Sequence, residues 1–289
     1  MPPSPPDAVI AALAIALPDR RLPDRWQPLF GGRTNTAWHG ICEASRDVVL
    51  KLYAGPALNP LFPNDPEAEA TLLHLLAPKG IAPAFLTGFD TQAGWCNLYE
   101  HLPGATWQAA TAPVAQLMRH LHGVTPPSGL RRTPDGSAAL LDQVSAIVSR
   151  CETGLDFLAD LPKDVVAPSG RDVLLHSDIV PGNLIQNADG LHLIDWQCPA
   201  IGDPCEDIAV FLSPAMQQVY RGEPLLDTEV ETFLTVYGDA GVVARYRQLA
   251  PFYHARMAAY CLWQVENGRP DYAAGLQLER AAFQRSLTL

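Results

Sequence analysis

The chain has no Cys-x-x-Cys pair among its six cysteines, so it lacks both the usual ligand spacing of a structural zinc site and a disulfide framework. Reduced thiols and a cytoplasmic setting are expected. No two glycines stand two residues apart and no Walker A sequence occurs, which excludes the dinucleotide fingerprint and the P-loop. Basic tracts are also missing. The 20 Lys and Arg stand against 31 Asp and Glu, a formal net charge of −11, so the footprint of a nucleic-acid binder is absent. The apolar run Val9 to Leu17 is too short to span a bilayer and has no basic stretch before it; a first helix is expected there, with no membrane segment and no signal peptide. The opening PPSPP is expected to fray. No internal repeat or heptad seam appears. What is present is a globular composition, 48% hydrophobic and 18% charged over 289 residues. At roughly one domain per 150 residues, that length allows two lobes.

The segment LLHSDIVPGNLIQNADGLHLID, Leu174 to Asp195, sets His176, Asp178, Asn183 and Asp195 among core-type residues. Pro181 and Gly182 between Asp178 and Asn183 predict a loop, which can aim both side chains at one point. Leu184 and Ile185, a turn at Asn187, Asp189 and Gly190, and an apolar run to Ile194 predict a small hairpin with Asp195 at its end. Two carboxylates and a carboxamide are oxygen ligands, which suit Mg²⁺ better than zinc. In phosphoryl transfer by kinases, an Asp-x₄-Asn loop supplies the base and a metal ligand, and a later Asp at a strand end holds the metal. Those roles fall on Asp178, Asn183 and Asp195. His176, two residues before Asp178, is read as a brace for the loop.

A second anomaly lies upstream. Lys51 interrupts the apolar run Val48 to Tyr53, a buried strand by its β-branched content, and a buried lysine needs an anionic partner. Asp65 and Pro66 predict the N-cap and first residue of a helix that ends before Gly80. Glu69, Leu72, Leu73 and Leu76 follow helical spacing, so Glu69 lies on the apolar face and Glu67 points nearly the other way. A glutamate on a buried face and a lysine in a buried strand each answer the other's need.

HSDIVPGN followed by LIDWQCPAIGDPCEDIA resembles the C-terminal lobe of the aminoglycoside phosphotransferase and choline/thiamine kinase superfamily, small-molecule kinases with a protein-kinase-like fold. Ser177 departs from that pattern, which usually carries Gly or Asn there. LFGGRTNTAWHG, Leu29 to Gly40, resembles the family's nucleotide loop, with Gly31 and Gly32 allowing a tight turn and Thr34 and Asn35 offering polar contacts. NLYEHLPG, Asn97 to Gly104, resembles the family's hinge, which implies adenine contacts from the main chain of Glu100 and Leu102. The family's glutamate matches Glu69, which would hold Lys51 against the α- and β-phosphates. The resemblance implies an α+β, two-lobe fold: a small antiparallel-sheet lobe over residues 1–100, with 1–25 a leading helix and tail, and a mainly helical lobe over 101–289. It also implies ATP, Mg²⁺ and a small-molecule hydroxyl acceptor, with a cationic alcohol such as choline, thiamine or an aminoglycoside as the expected class.

Eight acidic residues and one basic residue between Asp203 and Asp239 form either a field that attracts such a cation or a solvated surface. Asp203, Pro204 and Glu206 fit a helix start with a capping-box glutamate. Asp207, three and four residues before Val210 and Phe211, faces inward and is read as an anchor for the catalytic loop. Trp196, Tyr253, Tyr260 and Trp263 are either core or an aromatic wall for a cation. Amphipathic helices are expected over Ala138–Arg150 and Gln248–Glu266. Two rival readings are a nucleotide-binding pseudoenzyme and a metal-dependent hydrolase built on His176, Asp178 and Asp195. The first has every expected catalytic side chain against it, and the second leaves Lys51 and Glu69 unexplained. The D-F-G and A-P-E segments of protein kinases are absent.

Overall fold

The computed structural model describes residues 3–29, 35–53, 59–162 and 166–288. Its first elements in chain order are α1 (Asp7–Ala16), β1 (Arg25–Leu29), β2 (Thr36–Ile41), β3 (Val48–Tyr53), α2 (Pro66–Leu76), β4 (Phe85–Thr91), β5 (Gly94–Glu100) and β6 (Ala105–Thr106). Then come α3 (Thr111–His122), β7 (Arg131–Arg132), α4 (Ser137–Val148), β8 (Val173–Leu175), β9 (Leu184–Asn187), β10 (Gly190–Leu193) and β11 (Ala200–Gly202). The chain finishes with α5 (Cys205–Leu212), α6 (Pro214–Arg221), α7 (Asp227–Tyr237), α8 (Ala240–Glu266) and α9 (Ala273–Ser286). Among the described residues, no helix is long and apolar enough to cross a membrane. The residues divide into two compact units, Met1–Ala105 with Ile185–Cys198, and Thr106–Leu184 with Pro199–Leu289.

The first unit is built on an antiparallel sheet in the order β1-β2-β3-β5-β4. All six residues of the central β3 are buried, because side chains alternate across a sheet that is covered on both faces. Val48, Leu50 and Leu52 join Val9 and Leu13 of α1, Trp38 of β2, and Cys96 and Leu98 of β5 in one core. Lys51 points to the opposite face, toward α2. That helix starts where its sequence predicts: the Asp65 carboxylate accepts from Ala68 N at 2.9 Å, and Pro66 stands at the first position. The β9–β10 hairpin belongs to this unit through Leu193 N donating to Ile81 O at 2.8 Å and the His192 ring meeting Gly80 O at 2.8 Å.

The second unit is mainly helical, with a short β7-β11-β8 sheet. Ala255, Ala258 and Ala259 of α8 pack with Val144 and Ile147 of α4 and Phe283 of α9; their small side chains let the helices approach closely. Helix α8 is longer than its amphipathic pattern indicated. It begins at Asp239, whose carboxylate accepts from the N–H groups of Gly241 and Val242, both at 3.1 Å, and it runs through Pro251.

The expected capping box at α5 does not form. Asp203 accepts from Cys205 N at 3.0 Å, but Glu206 turns inward to a fork with the Arg256 guanidinium, at 2.7 and 2.9 Å. Arg256 also donates to Gln143 at 3.0 Å and lies over the Tyr253 ring at 5.0 Å. Burial alone would lower its pKa, yet Glu206 outweighs that and raises it. Replacing Arg256 with methionine leaves the buried Glu206 carboxylate without its counter-charge. Urea unfolding is therefore expected to show a loss of about 3–5 kcal/mol; a loss under 1 kcal/mol would mean that Glu206 finds another partner.

Candidate active site

In the first unit two carboxylates converge on one ammonium. Lys51 Nζ lies 2.8 Å from Glu69 Oε1 and donates a short hydrogen bond to Asp195 Oδ1. Lys51 and Glu69 are only 3% and 1% exposed. Burial by itself would depress the Lys51 pKa, but the Asp195 and Glu69 carboxylates outweigh it and hold the value well above the usual 10.5. The second Glu69 oxygen accepts from the Tyr53 hydroxyl and from Asn97 Nδ2, the latter at 3.1 Å. Asn97, which pairs with Lys51 in the β3–β5 register, also donates to Pro66 O at 2.9 Å and accepts from Trp95 Nε1 at 2.9 Å. Glu67, by contrast, is exposed. The sequence reasoning did not single out Asn97, although the signal that marked Lys51, a polar residue in a buried strand, marks it too.

Asp195 follows β10 with a φ of +62°, a left-handed conformation uncommon for a non-glycine residue and one that clusters at functional sites. Its position is held by Lys51 and by its neighbour Trp196, whose Nε1 donates to Leu193 O at 3.1 Å. One residue further, Gln197 braces the same segment. Its carbonyl accepts from Asp65 N at 2.7 Å, and its side-chain oxygen accepts from Asn35 Nδ2 at 2.7 Å. Asn64 and Asn35 exchange two carboxamide hydrogen bonds at 2.9 and 3.1 Å. Asn35, a candidate for nucleotide contact by its sequence, thus commits its carboxamide to Gln197 and Asn64. Gly31, Gly32 and Thr34 lie outside the described residues. At the candidate hinge, Glu100 N donates to Ala84 O and His101 N to Asp47 O, both at 2.8 Å. Glu100 can therefore offer an adenine only its carbonyl, and Leu102 would have to supply the N–H.

In the second unit the loop after β8 carries Asp178 and Asn183, closed by a 3₁₀ turn at Pro181–Asn183. Asn183 Nδ2 donates to Asp178 O at 2.9 Å and approaches Asp178 Oδ2 at 3.3 Å. That fixes the amide orientation and leaves Asn183 Oδ1 without a donor among the described residues. Gly182 is pressed against Tyr220, where a Cβ would sit 2.9 Å from the ring. His176 braces the loop: its Nδ1 accepts from Asp178 N at 3.2 Å, so a neutral ring carries its proton on Nε2. Asp207 anchors the loop, accepting from His176 N at 3.0 Å and Ser177 N at 2.7 Å while His122 Nε2 approaches its carboxylate at 3.2 Å. His122 carries no sequence signal of this role.

Ser177 has a φ of +65°, the conformation that glycine and asparagine adopt most cheaply, and its buried hydroxyl has no hydrogen-bond partner among the described residues. Ser177→Gly is therefore expected to raise stability by about 1 kcal/mol in urea unfolding, from relieved backbone strain and removal of an unsatisfied hydroxyl. Destabilisation would show that the hydroxyl has a partner in solution.

The acidic stretch and the candidate aromatics find partners within the structure. Of the eight acidic residues from Asp203 to Asp239, seven have partners: Asp203 pairs with Arg245, Glu206 with Arg256, Asp207 with His122 and the loop, Glu223 and Glu229 with Arg221, Glu231 with Arg247, and Asp239 with Arg171. These are structural charges, so the stretch is not an open field for a cation. Trp196, Tyr253 and Tyr260 are buried. Trp196 belongs to the first unit and the other three aromatics to α8; Tyr260 stacks on Trp263 at 6.1 Å and meets Tyr272 edge-on at 5.8 Å. Trp196, Tyr253 and Tyr260 thus belong to the core, and Trp263 is half-buried.

Each unit offers oxygen donors of the kind a hard divalent ion takes: in the second, Asn183 Oδ1 is uncommitted among the described residues, and in the first, Asp195 keeps Oδ2 beyond the oxygen given to Lys51. By fold the chain is similar to a choline/ethanolamine kinase family protein from Mesorhizobium loti, with a TM-score of 0.65 and 17% identity, covering 98% of this chain and 93% of that one. It is also similar to spectinomycin phosphotransferase, solved with ADP and spectinomycin, with a TM-score of 0.59, 18% identity, and coverage of 99% and 100%. An amicoumacin kinase solved with AMP-PNP and Ca²⁺ superposes with a TM-score of 0.59 at 14% identity, covering 96% of this chain and 92% of that one. No curated protein matches the chain by sequence. Residues 25–274, nearly the whole chain, match the phosphotransferase enzyme family, and the chain belongs to it.

Proposed function

We propose that the chain transfers the γ-phosphoryl group of ATP to a hydroxyl of a small cationic alcohol. The observation that carries this reading is the buried Lys51, pinned by Glu69 and Asp195 on the strand face toward α2. A buried lysine with two carboxylates keeps its charge, and a fixed ammonium is what a polyphosphate needs for orientation. Lys51 would hold the α- and β-phosphates, and the Glu100 carbonyl and Leu102 N–H would meet the adenine edge. Asn183 and Asp195 would hold Mg²⁺, which supplies charge neutralisation on the phosphate oxygens when bound.

Asp178 supports the chemical step. Its carboxylate accepts the acceptor's hydroxyl proton as the new oxygen–phosphorus bond forms and the bond from the γ-phosphorus to the bridging oxygen breaks, releasing ADP. His176, Asp207 and Asn183 keep that carboxylate in place, so most of the rate would come from positioning and charge stabilisation. The acceptor class rests on the solved relatives, named for choline, ethanolamine, spectinomycin and amicoumacin, and no longer on the partnered acidic stretch.

The test is ADP release from MgATP across choline, ethanolamine, thiamine, aminoglycosides and uncharged sugars, with wild type and Asp178→Ala in parallel. Stimulation by a cationic alcohol, lost in the variant, is expected. Stimulation by a sugar alone would overturn the acceptor class, and stimulation surviving in Asp178→Ala would overturn the assigned base.

A further inference from the structure

The first unit carries a second group of donors that phosphoryl transfer leaves unused. His39 lies on β2, Asp47 immediately before β3, and His101 immediately after β5. Because β3 lies between β2 and β5, the sheet brings the three together from different stretches of chain. The His39 and His101 rings stack with centroids 4.1 Å apart and planes 19° apart, and His39 Nε2 lies 2.8 Å from Asp47 Oδ2. One donor atom from each of the three residues falls within 4.8 Å of the other two. The other Asp47 oxygen accepts from Cys42 N at 2.9 Å, which fixes the carboxylate from behind as ligand carboxylates are fixed in metal sites. All three side chains are half-buried, so an ion can reach them. The His101 ring makes no hydrogen bond among the described residues, although an imidazole this enclosed normally finds one.

We propose that His39, Asp47 and His101 bind a divalent transition-metal ion of the zinc, cobalt or nickel kind, with water completing its coordination. Two imidazoles and one carboxylate suit such ions and not Mg²⁺, which prefers oxygen ligands. Ligands held roughly 2.1 Å from a tetrahedral ion stand roughly 3.4 Å from one another. The His39–Asp47 pair must then open by roughly 0.6 Å, and the stacked rings must turn their edges to a common point, movements within reach of half-exposed side chains. A bound ion would tie β2, the β2–β3 connection and the segment after β5 together, and would stabilise the first unit by mass action.

Titration with Co²⁺, followed by visible absorption, tests this in wild type, His101→Phe, Asp195→Asn and Cys42→Ser. Phenylalanine keeps the stacked ring and removes the ligand. One equivalent is expected to bind wild type with ligand-field bands and no thiolate charge-transfer band, at least about tenfold more weakly in His101→Phe, and unchanged in Asp195→Asn and Cys42→Ser. Zn²⁺ should raise the melting temperature of wild type but not of His101→Phe. Should His101→Phe not fold, Asp47→Asn supplies the same comparison. Wild type that binds no Co²⁺ at submillimolar concentration, or His101→Phe that binds as wild type does, overturns the proposal. Loss of binding only in Asp195→Asn or Cys42→Ser would also overturn it, by placing the ion elsewhere.

Discussion

Asp178→Asn is expected to lower kcat by about 10²–10⁴-fold while changing the KM for ATP little, because the amide keeps the shape and the hydrogen bonds of the side chain but cannot take a proton. The backbone of Asp178 is held on three sides. Its N–H donates to His176 Nδ1, its carbonyl accepts from Asn183 Nδ2, and Asp207 holds the two preceding backbone N–H groups. Asn183 Nδ2 also approaches the carboxylate at 3.3 Å. A residue so placed loses little geometry on an isosteric change, so the rate reports the proton acceptor. Steady-state kinetics with the acceptor found in the panel would read the effect. A kcat within a few-fold of wild type would reduce Asp178 to a turn former and overturn its assignment as the base.

Lys51→Met should affect turnover and folding together. Loss of the ammonium removes the fixed positive charge proposed for the phosphates, worth about 10²–10³ in kcat/KM for ATP by analogy with preorganised donors. It also leaves Glu69 buried with only the Tyr53 hydroxyl and Asn97 amide for company, so denaturant unfolding is expected to show a loss of about 3–5 kcal/mol. Glu69→Gln separates the two effects, since it removes the buried counter-charge while Asp195 still holds the lysine. The pH dependence has a definite sign. Because the folded-state value lies above the ordinary 10.5, the contribution of charged Lys51 is whole below that value and is lost only as pH rises through the folded one. No limb from Lys51 should therefore appear in kcat/KM across the neutral range. A neutral-range limb in wild type that vanishes in Lys51→Met would show the ammonium to be far less stabilised than its two carboxylates require.

The site was legible in the sequence wherever a residue contradicted its local pattern. Lys51 in an apolar strand and Glu69 on an apolar helix face each announced a missing partner, and the two meet at 2.8 Å. The Asp-x₄-Asn spacing with Pro181 and Gly182 specified a loop, and the turn residues after Leu184 specified the hairpin, because proline, glycine and alternation act over a few residues. Asp207 was read as facing inward from helical spacing, and its carboxylate does hold the loop backbone. Glu206 misled, because a local capping rule competed with a buried arginine 50 residues away and the ion pair prevailed. The aromatics of α8 were ambiguous for a similar reason: helical spacing is the same for a ring that packs and a ring that binds.

Local periodicity thus determined by itself which segments form β3, α2, the β9–β10 hairpin and the loop between Asp178 and Asn183, and which polar residues had to find partners. Only the tertiary structure decided who those partners are. Lys51 meets Asp195 across 144 residues of chain, Asn35 meets Gln197 across 162, and the hairpin carrying Asp195 joins a unit whose other residues end at Ala105. Backbone preference reaches three or four residues along a chain, whereas an ion pair or a carboxamide bridge acts through space. Its members are selected by the packing that brings two distant segments within 3 Å of each other.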